Sequence, residues 1–538
     1  MAVIRRIQEI MNTTTTNATT TKIEDLEKQC AQLEHRNAQL TTQLNWFIEQ
    51  YRLNKQRQFG VSSERTNPDE QQIDLFNEAE VEAKPFLAEP AIETITYKRR
   101  KQRGHRELML ENLPVETINH SLPEEKRVCS CCSSPLHVMS TEVRQELKFV
   151  PAQVIVVKHV TDIFSCRRCE REETNTPIVT APMPKPVLPG SLVSPSAMAF
   201  IMSQKYVQGL PLYRQEQELA RLGVELSRQT LANWMLYGAN HWLTLLYDRM
   251  HGHLLKQDIL CADETSFQVL REPDRAAETK SYLWLYRTGR MGPPIILYEY
   301  QPTRGGQHPK EFLSGFKGYL NVDGYAGYNV LTGVTLVGCW AHARRKFDEA
   351  LKALPASKSS VAVPAKEGLE FCNRLFAIER DLKEVTPEKR YEIRLVRSQP
   401  VLDAFLVWLN QRYPEVLPKS AFGQAIKYCL NQWTKLEAFM QDGRLEIDNN
   451  RSERSIKPFV MGRKAWMFAN TPRGARASAI IYSIVETAKE NGLNPFLYLT
   501  YLFEKLPNLD IKDLNSLDQL LPWSDSLPIS CRVKSKLK

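Results

Sequence analysis

The clearest periodicity is a seven-residue one near the start of the chain. Ile23, Cys30, Asn37, Leu44 and Tyr51 share one heptad position, and Leu26, Leu33, Leu40 and Phe47 share the other, over four consecutive heptads. Apolar side chains at this spacing make a narrow stripe that another helix must cover, so residues 22–58 are expected to form a coiled coil. Asn37 within the stripe favours a parallel dimer in one register. Residues 1–21 carry the polar tract TTTTNATTT and are expected to be disordered. Residues 59–112 show little periodicity and read as a linker. It has an acidic half, Asp69–Glu93, followed by the basic run KRRKQRGHR at Lys98–Arg106. Such a run tracks phosphates non-specifically, and it equally suits a solvated linker.

Short strand-like runs follow at Leu147–Val150, Val154–Val157 and Asp162–Phe164 within residues 113–174. A Pro-rich connector, 175–195, leads to a helical pair in residues 196–250. Tyr213–Leu222 forms the first helix, Gly223–Leu226 the turn, and Ser227 the N-cap of a second helix ending near Gly238. Leu231, Trp234 and Met235 face inward. A helix-turn-helix reads base edges with the first turn of its second helix, which makes Arg228 and Gln229 the candidate readers. A plain helical hairpin is the alternative.

From residue 251 the pattern turns strand-rich. Ile259–Ala262 runs into Asp263, then come Tyr282–Arg287 and Ile295–Tyr300. A helix-sized segment follows, then Tyr319–Val322 running into Asp323, and Thr335–Cys339 leading into WAHARRKF. Three antiparallel strands, a helix, a parallel strand and a further strand–helix unit describe an RNase H-like sheet. Its first and fourth strands lie side by side, so Asp263 and Asp323 are expected as neighbours at strand ends. Residues 348–445 read as a helical insertion, with helices at Ala365–Lys383, Pro387–Tyr413 and Ser420–Gln441. Gly474–Lys489 and Pro495–Leu506 are further amphipathic helices. The expected whole is multidomain α+β: coiled coil, small zinc-ribbon-like β domain, helix-turn-helix, an RNase H-like catalytic domain over 251–475, and C-terminal helices and tail over 476–538.

Composition changes this picture in two ways. The net charge of +9 suits a polyanionic partner, most simply nucleic acid, although an excess of this size also serves solubility. Of eleven cysteines, five lie within Cys129–Cys169, a pattern of a reducing cytoplasm with one metal cluster, not of a secreted disulfide framework. Cys129-x-x-Cys132 and Cys166-x-x-Cys169 are two knuckles able to converge on a structural Zn2+, with Cys131 as a spare thiol. No signal peptide is evident, and no apolar run reaches the roughly 18 residues of a membrane span.

Candidate chemistry concentrates in LEIDNNRSERSIK at Leu445–Lys457. Glu453 stands among Arg451, Arg454 and Lys457, with Arg463, Lys464, Arg473 and Arg476 beyond. Read alone, this is a solvated helix with a Glu453–Lys457 pair. Read with Asp263 and Asp323, it is the third carboxylate of a site for two Mg2+ or Mn2+ ions, one activating the nucleophile and one stabilising the leaving oxygen of a phosphodiester. One aspartate bridges both ions, and the other two carboxylates hold one each. Arg344, Arg345, Lys346, Arg454, Lys457, Arg463 and Lys464 are candidate DNA contacts. Trp466 suits either stacking on an unpaired base or core packing, and His342 either phosphate contact or a turn cap.

Taken in order, FGVSSE at Phe59–Glu64, the cysteine region, KYVQGLPLYRQE at Lys205–Glu216, ADET at Ala262–Thr265 and VDGY at Val322–Tyr325 form a distinctive series. It continues with CWAHARRKF at Cys339–Phe347, DNNRSER at Asp448–Arg454, GRKAWMF at Gly462–Phe468 and IYSIVETA at Ile481–Ala488. This series resembles the transposases of bacterial insertion sequences in the IS66 group. The resemblance implies a DDE-type enzyme with Asp263, Asp323 and Glu453 as catalytic carboxylates, a leucine-zipper-like N-terminus and a zinc-finger-like domain. It also implies binding to terminal inverted repeats, strand cleavage and strand transfer into target DNA by a cytoplasmic dimer or higher oligomer, with accessory proteins of the same element as possible partners. A nuclease or resolvase on the same fold, and a non-catalytic DNA-binding regulator, are the rival readings.

Overall fold

The computed structural model describes residues 182–353 and 363–533, with short pieces at 153–160, 163–165 and 178–180 and seven positions between 29 and 44. The four knuckle cysteines, the basic linker run and most of the heptad stretch lie outside the described residues. Within the heptad stretch, Leu33, Asn37 and Leu44 are helical and exposed, Leu33 at 62% and Leu44 at 59%.

β1 (Ile163–Ser165), in the region expected to bind zinc, pairs antiparallel with β2 (Ile178–Thr180), which lies in the stretch expected as a connector. Val154–Val157, expected as a strand, has no ladder, and its side chains are exposed.

Between residues 182 and 258, four α-helices precede the main sheet: α1 (Pro195–Tyr206), α2 (Leu212–Arg221), α3 (Arg228–Tyr237) and α4 (Thr244–Leu254). Gly223, at φ 83°, ends α2: Val224 N–H reaches back to Leu219 C=O at 2.9 Å, the closure that a left-handed residue permits. Ser227 caps α3 by accepting from Thr230 N–H at 3.2 Å. Leu231, Trp234 and Met235 are buried as expected. The second helix does not end at Gly238, however. It runs through a π-helical segment, Gly238–Leu243, directly into α4. Gly238 serves close packing here instead of chain reversal: a Cβ would lie 2.6 Å from Met198 Sδ and 2.8 Å from Met202 Cε.

The main sheet comprises β3 (Ile259–Val269), β4 (Lys280–Thr288), β5 (Ile296–Gln301), β6 (Gly318–Val322) and β7 (Val334–Gly338), in the order β5-β4-β3-β6-β7. The first three strands are antiparallel; β6 runs parallel to β3, and β7 parallel to β6. A two-residue strand, β8 (Phe468–Ala469), pairs parallel with the far end of β3. The protein is therefore mixed α+β, built on a mixed sheet. The buried residues of α1–α4, of the sheet and of the C-terminal helices join in one apolar cluster.

A short helix, α5 (Gln307–Phe312), joins β5 to β6, and between β7 and the Glu453 helix stand α6 (Trp340–Lys352), α7 (Pro364–Asp381), α8 (Pro387–Arg397), α9 (Gln399–Arg412) and α10 (Ala421–Glu437). The helix expected over Pro387–Tyr413 is two, broken at Ser398. Pro400 cannot donate to the backbone, and it sits in the first turn of the second helix, where no donor is needed. These helices build a second core around Trp340, Phe347, Phe405 and Phe439. Arg394, fully buried, ties it together. It donates to both oxygens of Glu379 at 2.7 Å and to the carbonyls of Phe439, Asp442 and Leu445.

The Glu453 helix is α11 (Asn450–Trp466), followed by α12 (Pro472–Glu490) and α13 (Pro495–Lys505). Beyond them the tail, which shows little pattern in sequence, buries Leu517, Leu520, Leu521 and Leu527 in the main core. Asp518 holds that tail to α4 by accepting from Arg249 at 2.6 Å.

Candidate active site

Asp263 lies in the interior of β3, which continues six residues beyond it, and not at a strand end as expected. What ends near Asp263 is the pairing on one edge. The β3–β6 ladder stops at Cys261↔Asn321, and the β3–β8 ladder begins only at Gln268↔Phe468. The intervening stretch of β3 has no strand on that side. The open edge gives Asp263 a place to emerge within a continuous strand. Carrying the β3–β6 register two residues onward sets Asp323 opposite Asp263, just past the end of β6. Asp323 Oδ1 accepts from Tyr325 N–H at 2.8 Å, a local turn bond that leaves its other oxygen free of this contact.

Glu453 comes from the first turn of α11, and that turn is fastened to the open edge. Asn449, 2% exposed, donates through Nδ2 to Ala262 C=O at 2.8 Å, which satisfies the strand carbonyl next to Asp263. Its own N–H donates to Cys339 Sγ at 3.2 Å, and its Oδ1 accepts from Ser452 Oγ at 2.7 Å. On the other side of the helix, buried Arg287 of β4 donates to Ser455 Oγ and to Arg451 C=O, and Tyr298 of β5 donates to Ser455 C=O. The start of α11, and Glu453 with it, is thus held by the Ala262 carbonyl of β3 and by side chains from β4 and β5.

The charges are under tension. Burial pushes the Asp263 carboxyl well above the usual carboxylate range, and Glu264, Asp323 and Glu453 add to the effect. Only the Glu264 N–H, donating to Oδ1 at 2.8 Å, opposes it. Glu264 itself is engaged elsewhere. Its carboxylate accepts from Arg304 Nε at 2.8 Å and from Tyr328 Oη at 2.7 Å, while Arg304 stacks over the Tyr325 ring at 3.8 Å. Glu453 does not pair with Lys457. His342 Nε2 and Arg345 Nη2 each stand 3.9 Å from its oxygens, too far for a hydrogen bond, and Glu453 Oε1 has no hydrogen-bond partner. Burial and then Arg345 lower the His342 pKa, favouring the neutral ring. Burial raises the Cys339 thiol to about 12. Clustered carboxylates with an unbonded oxygen and a raised pKa lack sufficient positive charge. The donor set fits hard divalent cations such as Mg2+ or Mn2+.

The remaining site expectations divide. Arg228 and Gln229 are exposed at the start of α3; Arg228 N–H donates to Glu216 at 2.9 Å, and its guanidinium projects from the first turn. Arg454, Lys457 and Lys464 are exposed along α11. Arg463 is half-buried and reaches Thr265 of β3 at 3.5 Å. Arg345 faces Glu453, whereas Arg344 donates to Asn373 of the insertion at 2.7 Å and Lys346 lies over Tyr428 at 5.1 Å. Trp466 packs edge-on against Phe459 at 5.4 Å, which favours the core reading. Sequence reasoning missed the Glu264–Arg304–Tyr328 group and the anchoring by Asn449. The only sequence signal for the latter was a polar Asp-Asn-Asn run ahead of a helix, which suggests an N-cap, whereas Asn449 spends its side chain across the fold.

Comparison with known proteins places this site in context. Residues 190–477, which contain Asp263, Asp323 and Glu453, match the model of the transposase IS66 family. Residues 483–523 match the IS66 C-terminal element, and residues 126–170, with all four knuckle cysteines, match the zinc-finger binding domain of transposase IS66. Residues 46–118 match a model described as transposase C of IS166 homeodomain. The chain is 32% identical over 414 residues to the uncharacterized protein y4jD of Sinorhizobium fredii, covering 74% of this chain and 78% of the relative. It is 28% identical over 419 residues to y4hP of the same organism, covering 74% of each. Among the described residues no helix is long and apolar enough to cross a membrane. The family match spans more than half the sequence, so the chain belongs to the IS66 family of transposases.

Proposed function

We propose that the protein is a DDE transposase with an RNase H-like catalytic core, which cleaves DNA at the terminal inverted repeats of an insertion sequence and transfers the freed strand to a target. The observation that carries this reading is the β3–β6 register, which sets Asp263 beside Asp323 at the open edge where Asn449 fastens the Glu453 helix. The strand order β5-β4-β3-β6-β7, with three antiparallel strands followed by two parallel ones, supports the RNase H-like assignment. Asp263, Asp323 and Glu453 would hold two Mg2+ or Mn2+ ions, which when bound supply an activated nucleophile and charge stabilisation at the leaving oxygen. The protein's own contribution is position. Asn449 and Arg287 fix the approach of α11, and Arg304 and Tyr328 hold the neighbouring Glu264 in a separate network. Arg454, Lys457, Arg463 and Lys464 line the same helix and would meet DNA phosphates. Arg228 and Gln229 would read the repeats from the first turn of α3. Cys129, Cys132, Cys166 and Cys169 would clamp a structural Zn2+, and the heptad stretch would bring two chains, and so two DNA ends, together.

Glu453→Gln tests the reading. It keeps the side-chain volume and removes a metal-binding charge. Cleavage of a labelled terminal-repeat duplex in Mg2+ should fall by at least about a hundredfold, since even outer partners of metal ligands cost 10–100-fold. Binding to the same duplex should persist. Unchanged cleavage in the variant refutes the assignment. Cleavage by the unaltered protein without joining of a pre-cut end identifies a nuclease instead.

A further inference from the structure

Cys339, His342 and Glu453 offer one sulfur, one imidazole nitrogen and one carboxylate oxygen, all within 4.8 Å of one another. We propose that these three side chains form a binding site for a single thiophilic divalent cation, typified by Zn2+, which shares Glu453 with the hard-ion pair proposed above and adds Cys339 and His342 to it. A thiolate and an imidazole discriminate strongly for zinc over magnesium, and three protein ligands leave the fourth position to water.

The local structure is close to what such an ion needs. Bonds of about 2.0–2.3 Å in a tetrahedral site put ligand atoms roughly 3.3–3.7 Å apart. His342 Nε2 and Glu453 Oε1 are already 3.9 Å apart. Closure therefore asks for movements of about 1 Å, within reach of side-chain rotation. Cys339 sits where β7 passes into α6, and His342 follows one helical turn on, so the two face the same way. Cys339 Sγ receives the backbone N–H of Asn449 at 3.2 Å, the kind of contact that steadies a thiolate once formed. Glu453 Oε1 has no hydrogen-bond partner, so no competing bond to that oxygen must be broken. Arg345 approaches Glu453 through Oε2, the other oxygen. The His342 and Glu453 side chains are 27% and 29% exposed, which gives the ion a path in. On binding, a sulfur–metal bond replaces the S–H bond and the proton leaves to solvent.

A consequence rests on the proposed function. Glu453 held by zinc is withdrawn from the carboxylate group at Asp263 and Asp323, so zinc should inhibit Mg2+-dependent cleavage.

The test counts metal in the full-length protein without DNA. The unaltered chain, Cys339→Ala, His342→Ala and the control Cys166→Ser/Cys169→Ser are equilibrated with zinc, freed of unbound ion and analysed by atomic emission. The unaltered protein should hold one equivalent more than Cys339→Ala and one more than His342→Ala. The control should keep that equivalent. With Co2+ in place of zinc, a thiolate-to-cobalt charge-transfer band should be lost in Cys339→Ala relative to the unaltered protein. Should Cys339→Ala fail to fold, half-exposed His342 carries the test through His342→Ala. Equal metal content in the unaltered protein and His342→Ala overturns the site. If zinc binds as described but no Mg2+-dependent cleavage exists, the proposed function falls and this site stands. If cleavage exists and the stoichiometries do not differ, the reverse holds.

Discussion

Asp263 shows how function and stability oppose each other at a single residue. Its carboxyl is pushed up first by burial and then by Glu264, Asp323 and Glu453. An acid whose folded pKa lies above its unfolded value of about 3.9 binds more protons folded than unfolded between the two values. Its stabilising contribution is complete below the unfolded value and is lost as pH rises through the raised one. The metal-free protein should therefore lose stability as pH climbs across that window. Asp263→Asn should raise the melting temperature of metal-free protein at neutral pH by about 1–2 °C, the equivalent of roughly 1 kcal/mol in a folded body of this size. Mg2+ should raise the melting temperature of the unaltered protein and leave that of the variant unmoved. Calorimetry with and without Mg2+ checks both, and a variant that melts lower without metal would refute the account. Asn449 is the residue to watch beside it. Its polarity is obvious in the sequence, yet its bond to Ala262 C=O exists only because the β3 edge is unpaired there.

At the scale of elements, the exposed edge of the sheet is handled in an unusual way. β5 is an edge strand, and α12 covers it with side chains that substitute for a neighbouring strand. Thr487 Oγ1 accepts from Ile296 N–H and donates to Ile296 C=O, both at 3.0 Å, and Ser483 Oγ accepts from Tyr298 N–H at 2.8 Å. Edge groups covered but unbonded would be costly. Thr487→Val keeps the shape and strands two buried backbone groups, so denaturant unfolding should show a loss of about 1–3 kcal/mol; a neutral result would mean that water replaces the hydroxyl. Ser483 and Thr487 occur within IYSIVETA, where both read simply as polar positions in an amphipathic helix. Helical periodicity identified α12, but which strand it would shield followed from the order of the sheet. The same holds for the insertion. Its helices were legible from their apolar spacing, and the break at Ser398 has a local cause in Pro400, whereas the gathering of three carbonyls around Arg394 depends on neighbours distant in sequence.

For the whole molecule, residues 182–353 and 363–533 pack as a sheet with helices around it, and the proposed function assigns the pairing of two copies to the heptad stretch. Leu33 and Leu44 are exposed in the single chain, as an unpartnered coiled-coil seam would be. Leu33→Glu places a charge in that seam. Light scattering should then move from twice the 61.9 kDa chain mass toward the single-chain mass, while the spectroscopic signature of the catalytic core persists. A dimer that survives the substitution would place the contact elsewhere.

Local spacing determined the parts of this protein that depend on near neighbours. These are the helical pair with its Ser227 cap, the five strands of the main sheet, the heptads, the cysteine knuckles, and the three acidic positions. Turn chemistry, helix periodicity and strand alternation act over a few residues, so they are written in sequence order. Only the tertiary structure decided that β3 runs on past Asp263, that two short ladders leave a gap beside it, and that α11 is fastened into that gap by Asn449. It also decided that Cys339, His342 and Glu453 would gather around one point. Those outcomes depend on hydrogen-bond partners and packing between segments far apart along the chain, and no short-range pattern encodes which distant backbone will be left for a side chain to complete.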